Sequence, residues 1–434
     1  MKKQALLSFL ALTAVAVFFS CNNPFAARRA LTAEVQTAIG IDGNVLKTAD
    51  IALTDAAVDP LPAQEAVTKG LEWLAAAQAE NGGWGAGLHS RQDVRDPRAV
   101  QTDPATSAFA AMALMRAGNT LKQGPYRENL RLALDYLLAT VENVPASQAR
   151  ITSLTGTQPQ NKLGQNIDAS MAAQFFSRIL PQLESEAGLK QRTELALDKC
   201  LSKIQSTQQA DGSFEGGTWA GVLQSAMANN ALEEASVVGR TVDEVVLAKS
   251  RSYQKSNIDA GSGAAKTDRS AGISLYSISS SNRATAQKYQ EADQLLREAK
   301  AEGRLRADAP LSEASLREIT GDDEKAKALI EDVKVYEATR SQMKDEQVLA
   351  GFGNNGGEEF LSYMMTSESL AATGGEDWQA WSEKMNARLS KIQNPDGSWS
   401  GHHCITSPVF CTSAVILTLT AAPQQNTQVQ NAKN

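Results

Sequence analysis

The chain has 434 residues, 42% of them hydrophobic and 6% aromatic, with a formal net charge of −7. That is enough apolar material for a large core, and with both charge signs interspersed it offers no basic footprint, which excludes nucleic acid as a partner. On length alone the segment 61–422 makes two domains, but a closed helical ring uses all of it as one.

In chain order, residues 1–21 come first. Lys2 and Lys3 precede an apolar run from Ala5 to Phe19, and Ser20 stands directly before Cys21. This is the layout of an export signal, and the run is too short for a good membrane span. A small residue before a cysteine resembles a bacterial lipoprotein cleavage site with Cys21 as the lipid acceptor, although Phe18 stands where that pattern carries leucine. The alternative is ordinary cleavage near Ala26 or Ala27. Either reading puts the mature protein outside the cytoplasm, in the periplasm or cell envelope, with membrane contact only through an N-terminal lipid. Residues 22–60, rich in Ala, Thr and Asp, read as a tether or flexible arm, and 423–434 as a disordered tail.

Between them, helical periodicity alternates two kinds of segment. Amphipathic, charged stretches at about 62–79, 125–141, 187–206, 240–254, 284–302 and 376–393 read as outer helices. Stretches rich in Ala, Ser and Met at about 104–117, 166–181, 218–235, 268–281, 355–372 and 405–421 read as inner helices, whose small residues permit close backbone approach round an axis. Six such pairs close a ring. A charged, helix-prone stretch at about 302–346 reads as a helical insertion on the outside. In the alternative, Asp323 to Lys344 is the fifth outer helix and 284–302 is the decoration.

Three outer segments end in one device: LAAAQAENGGW (Leu74 to Trp84), IQSTQQADGSF (Ile204 to Phe214) and LSKIQNPDGSW (Leu389 to Trp399). Each has an aliphatic residue four before a glutamine, a glycine four after and an aromatic six after. The aliphatic anchors the last helical turn, glycine allows the reversal, and the Gln amide is placed to bond backbone groups where one helix stops and the next starts. The first copy extends back through Lys69, Gly70 and Trp73 to KGLEWLAAAQAENGGW, which resembles the QW motif of squalene cyclases and the related repeat of protein prenyltransferase β subunits. The resemblance places the chain with the prenyltransferase and squalene oxidase (squalene-hopene cyclase-like) repeat toroids. It implies an all-α fold, an α/α toroid of about six inner and six outer helices. That family includes cyclases, zinc prenyltransferases and toroids without catalysis.

In a toroid the inner helices start at one end, so polar residues just after the turns share a cavity mouth. Asp103, Asp168 and Asp268 open three inner segments and are mouth candidates for ligand binding, with helix capping as the plain explanation. Glu358 and Glu359 open a fourth, and His402, His403, Cys404 and Cys411 gather before the last; two of the chain's three histidines are adjacent here. Glu358, Glu359, His402 and His403 are the catalytic candidates. His402, His403 and Cys411 suit a divalent zinc ion. A Cys404–Cys411 disulfide is the competing use of the thiols in an oxidising compartment. The expectation is that these side chains share one rim, with a glutamate facing a histidine across it. His89, in the loop after the first turn, is a further mouth candidate. In the prenyltransferases a zinc carboxylate and a histidine start inner helices; by rough alignment Glu358 stands at the first position and Cys411 replaces the second.

The acidic D-x-D-D cluster with which squalene cyclases protonate an alkene is absent, as is a D-D-x-x-D diphosphate motif, and the low aromatic content leaves little to stabilise a carbocation. The sequence therefore points to an exported toroid that binds a ligand or partner: a small apolar or lipid-like molecule, a glycan or a protein. The alternatives are an enzyme on the same fold, either a divergent terpenoid cyclase or a metal-dependent transferase, or a glycan-active toroid enzyme with separated carboxylates.

Overall fold

A computed structural model describes residues 62–423 apart from 146, 149 and 215–218. The export signal, Cys21, the tether and the tail lie outside the described residues.

The described chain is all-helical: α1 (Pro62–Ala76), α2 (Pro104–Arg116), α3 (Arg127–Glu142), α4 (Gln158–Leu163), α5 (Ile167–Ile179), α6 (Ala187–Gln205), α7 (Gly221–Val237), α8 (Glu244–Ser256), α9 (Ser274–Ala301), α10 (Glu313–Thr320), α11 (Asp323–Gln342), α12 (Glu346–Leu349), α13 (Gly357–Thr373), α14 (Gly375–Lys391) and α15 (Pro408–Leu419). β pairing among these residues amounts to isolated bridges such as Leu88 with Thr157.

The inner ring runs α2, α5, α7, α9, α13, α15, and α15 returns to α2. Its helices are apolar or small on every side, as buried helices must be: all of α2 but Met115 and Arg116 is buried, and so is all of α5 but Arg178. The outer helices α1, α3, α6, α8, α11 and α14 bury one stripe and solvate the other. In α3 the stripe is Leu130, Ala133, Leu134, Leu137, Leu138 and Val141. The fold is thus an α/α toroid of six inner and six outer helices.

The fifth pair departs from the first-choice reading and follows the alternative. Segments 268–281 and 284–302 are not an inner and an outer helix but parts of one helix, α9, 28 residues and about 42 Å long. Nothing at Asn282 or Arg283 stops a helix: neither glycine nor proline intervenes, and Asn282 Nδ2 is tied to Thr339 Oγ1 of α11 at 2.9 Å. The first half of α9 lines the ring. The second half runs on to build a small separate core with α10 and α11 from Ala292, Leu316, Ala326, Leu329, Ile330 and Val333. The fifth outer helix is α11, its Tyr336 hydroxyl 2.7 Å from Thr373 Oγ1 on α13.

The three glutamine turns are superposable in their bonding. Gln78, Gln208 and Gln393 donate to the carbonyls of Gly82, Gly212 and Gly397 within their own turns. Each also donates to a carbonyl near the start of the next outer helix: Asn129 at 2.9 Å, Val246 at 2.8 Å and Ala66 at 2.8 Å. These are not the orphan groups of a helix end; the amide uses the second lone pair of carbonyls already inside a helix. The aromatic that follows is buried, and its backbone N–H donates to a hydroxyl on the coming inner helix: Trp84 to Ser107, Phe214 to Ser225, Trp399 to Thr412. Both tryptophans also donate Nε1–H back to the helix just left, to Leu74 O and Leu389 O at 2.8 Å. Every turn leads from the C-terminus of an outer helix to the N-terminus of an inner one, so all three sit at the same end.

Candidate functional site

At that end three loops are sewn together around Gln158, the first residue of α4. Its buried amide donates to Ala86 O, and its carbonyl oxygen accepts from the backbone of Thr406 and Ser407 at 2.7 and 3.1 Å. Gln92 donates to Cys404 O at 2.7 Å and lies 2.6 Å from His89 Nδ1, which brings His89 to the mouth.

Glu358 and Glu359 are both fully buried at the start of α13. Glu359 accepts from Gly356 N at 2.8 Å, Phe352 N at 3.2 Å and the Tyr276 hydroxyl of α9 at 2.5 Å. Glu358 accepts from Ile405 N through Oε2 at 3.3 Å, while its Oε1 has no partner. Burial first, and the neighbouring Glu359 second, push the Glu358 carboxyl up to about 8, so it holds a proton at neutral pH. His403 Nε2 lies 2.7 Å from Asn354 O and 3.7 Å from Glu359 Oε2, its Nδ1 unpartnered. A carboxylate therefore faces a histidine between the loops before α13 and α15. Gly356 makes this fit possible: a Cβ there would stand 2.8 Å from His403 Cε1.

His402 does not join them. Only its backbone is held, by Asn355 O, and its side chain is exposed. Cys404 and Cys411 are free thiols, which corrects the disulfide. Cys411 is buried on α15 with Sγ 3.6 Å from Ile405 O, whereas Cys404 is half-buried beside Lys162 with a left-handed φ of 59°. Burial pushes the Cys404 thiol up to about 12, far from a thiolate nucleophile. His402, His403 and Cys411 thus point to different surroundings, and among the described residues no group of three or more His, Cys, Asp or Glu is arranged to hold a metal ion.

Asp103 and Asp168 are buried as well, but every oxygen has a protein partner. Asp103 caps α2 through Thr106 N at 2.8 Å and also accepts from Thr106 Oγ1 and Ala86 N. Asp168 accepts from Ala105 N of the neighbouring α2 and from Gln160 Nε2. Both stitch the ring rather than face a ligand. Asp268 is exposed in the turn before α9, six residues short of the helix start at Ser274, so it does not cap that helix.

The sequence reading missed the groups that complete the rim. Lys162, on α4, stands with its Nζ 4.4 Å over the Trp219 ring, and its charge acts on Glu358, Cys404 and His89. Trp219 meets Phe352 edge-on at 6.2 Å, and Phe352 packs on His403 at 5.0 Å.

The opposite end is closed by charge. Glu368 of α13 accepts from Arg283 of α9 at 3.2 Å, pairs with Arg116 of α2, and lies 3.6 Å from Arg178 on α5, the helix opposite α13 in the ring. Arg178 also grips Glu234 of α7 with two bonds of 2.6 and 2.7 Å. One helical turn toward the mouth by spacing, Met112, Gln174, Asn230 and Ser279 are buried, none more than 2% exposed.

Residues 44–157 match the squalene-hopene cyclase C-terminal domain. The match covers about a quarter of the chain and spans the first glutamine turn with the helices on either side of it, α1 to α3. This stretch thus resembles the squalene-hopene cyclase C-terminal domain, and the α/α toroid is the architecture that the repeat implies. None of the curated proteins matches the chain.

Proposed function

We propose that this squalene cyclase-like toroid is a binding protein of the cell envelope that takes a polar ligand or partner at its mouth and does not thread a lipid into its axis. The observation that carries the reading is the Glu368 bridge between opposite inner helices, one turn above which a methionine, a glutamine and an asparagine are buried. An isoprenoid would have to part that bridge to pass along the axis, whereas the mouth presents Lys162 and an exposed aromatic pair. The enzymatic alternatives have less support. The buried mouth candidates Asp103 and Asp168 are occupied with backbone amides, and the donors for a zinc transferase diverge. Envelope localisation rests on the Lys2 to Cys21 pattern alone.

The test is a thermal-shift series on the purified chain with farnesyl diphosphate, short oligosaccharides and short peptides. Saccharide or peptide should raise the melting temperature and farnesyl diphosphate should leave it unchanged. Turnover of the isoprenoid, or tightly held stoichiometric zinc, would overturn the reading. For export, Cys21→Ser should release the protein from membranes in fractionated cells; an unchanged distribution rules out the lipid anchor.

A further inference from the structure

Trp219 and Phe352 are 41% and 51% exposed, and they are the only large aromatics exposed among the described residues. They come from loops 133 positions apart, yet they touch, and they do so at the mouth. Two aromatic rings held in water at one rim cost hydration free energy that a purely structural surface avoids by burying or replacing them, so the pair marks a contact surface. The groups that border it are polar and of one character. Lys162 lies over the Trp219 ring and makes no ion pair among the described residues; His403 backs Phe352; Glu358 lies buried beneath them, interacting with the Lys162 charge.

Two exposed rings set edge to face, bordered by hydrogen-bonding groups and by one cation with no ion pair among the described residues, suit a particular ligand shape: a ring with C–H faces, a hydroxylated edge and a carboxylate. We infer that the mouth binds an acidic saccharide, its sugar ring laid on the Trp219–Phe352 pair and its carboxylate drawn to Lys162. A peptide side chain could stack on the same pair, but a single stacked residue leaves the polar edge unused, and an uncharged sugar leaves Lys162 without a counter-charge. The proposal rests on the mouth-binding reading above and gives it a ligand class.

The experiment is isothermal titration of the full chain with tri-galacturonate and, in parallel, with the neutral cellotriose. Tri-galacturonate should bind. Trp219→Ala and Phe352→Ala should each weaken it by about tenfold or more, and Lys162→Gln should bring its affinity down to that of cellotriose, a fall of about tenfold. All three positions are exposed or half-exposed, so the melting temperature should stay put and report that the variants fold. Equal binding of the two sugars, or binding indifferent to both aromatic substitutions, overturns the inference. If neither sugar binds while a peptide probe binds in a manner lost on His403→Ala, the saccharide falls and the mouth reading stands; if saccharide, peptide and isoprenoid probes all fail, both fall.

Discussion

Gln393 Nε2 donates a 2.8 Å hydrogen bond to the Ala66 carbonyl, 327 residues earlier in the chain. The last glutamine turn therefore clasps the first outer helix and closes the ring. Trp399 completes the clasp: a Cβ on Gly70 of α1 would stand 2.7 Å from its ring, so the glycine is what lets the tryptophan lie flat on the helix. Gln393→Ala loses two hydrogen bonds at once and should cost about 2 kcal/mol in urea unfolding. Gln209→Ala, at an exposed glutamine outside the joint, should change stability by less than about 0.5 kcal/mol.

Gly212 and Gly239 both have positive φ, +87° and +77°, but only the first is crowded. A Cβ at Gly212 would lie 2.2 Å from Lys249 O, while one at Gly239 meets nothing within 4 Å. Gly239→Ala should cost about 1 kcal/mol, the backbone strain alone, and Gly212→Ala at least about 2 kcal/mol more because the turn must move off the next outer helix. Equal costs would show that the turn does not seat on α8.

Glu368 holds three arginines, which keep its carboxyl far below the usual carboxylate range despite burial. Glu368→Gln takes the paired carboxylate from Arg116 and Arg283, while Arg178 keeps Glu234, and should destabilise the protein by about 3–5 kcal/mol. Because the folded pKa is depressed, the ion cluster stabilises fully above the ordinary glutamate value of about 4.5 and the contribution is lost as pH falls below it. Denaturation midpoints between pH 3 and 6 should therefore slope less in the variant than in the parent.

Glu358 acts in the opposite sense. Its folded pKa of about 8 is raised, so between about 4.5 and 8 the folded state holds a proton that the unfolded state has released, and stability falls as pH rises. Asp168, pushed up to about 7 by burial and by Asp103, adds to the same slope. Glu358→Gln keeps the shape and removes the proton, and the pH 5 to 8 slope should flatten by up to about 1.4 kcal/mol per pH unit. An unaltered slope would mean that Glu358 ionises normally in the fold.

Among the described residues Cys404 is the one half-buried thiol, with Cys200 and Cys411 fully buried. Mild alkylation of the native protein should label Cys404, slowly because its thiol titrates near 12, and leave the other two unlabelled until the chain is unfolded. Intact mass under non-reducing conditions should show no loss of two hydrogens across Cys404 and Cys411.

The sequence by itself determined the ring. Spacing is a local property, and the aliphatic, glutamine, glycine and aromatic positions of the three turns, with alternating charged and small-residue helices, leave a toroid as the way to bury both kinds of face. It also singled out Glu358, Glu359 and His403, because two of the chain's three histidines gather before the last inner helix and two adjacent glutamates open the one before it. It did not divide α9 from α11 correctly, since a helix with no breaker continues or stops according to what it packs on, and that partner, α11, lies some forty residues further on. Nor did it separate His402 from His403, or a capping Asp103 from an exposed Asp268: adjacent or similar residues differ only in which way the backbone turns them. Lys162, Trp219 and Phe352 were beyond its reach for a related reason. Each is ordinary in its own segment, and only the closing of the ring brings a lysine from α4, a tryptophan before α7 and a phenylalanine before α13 onto one rim.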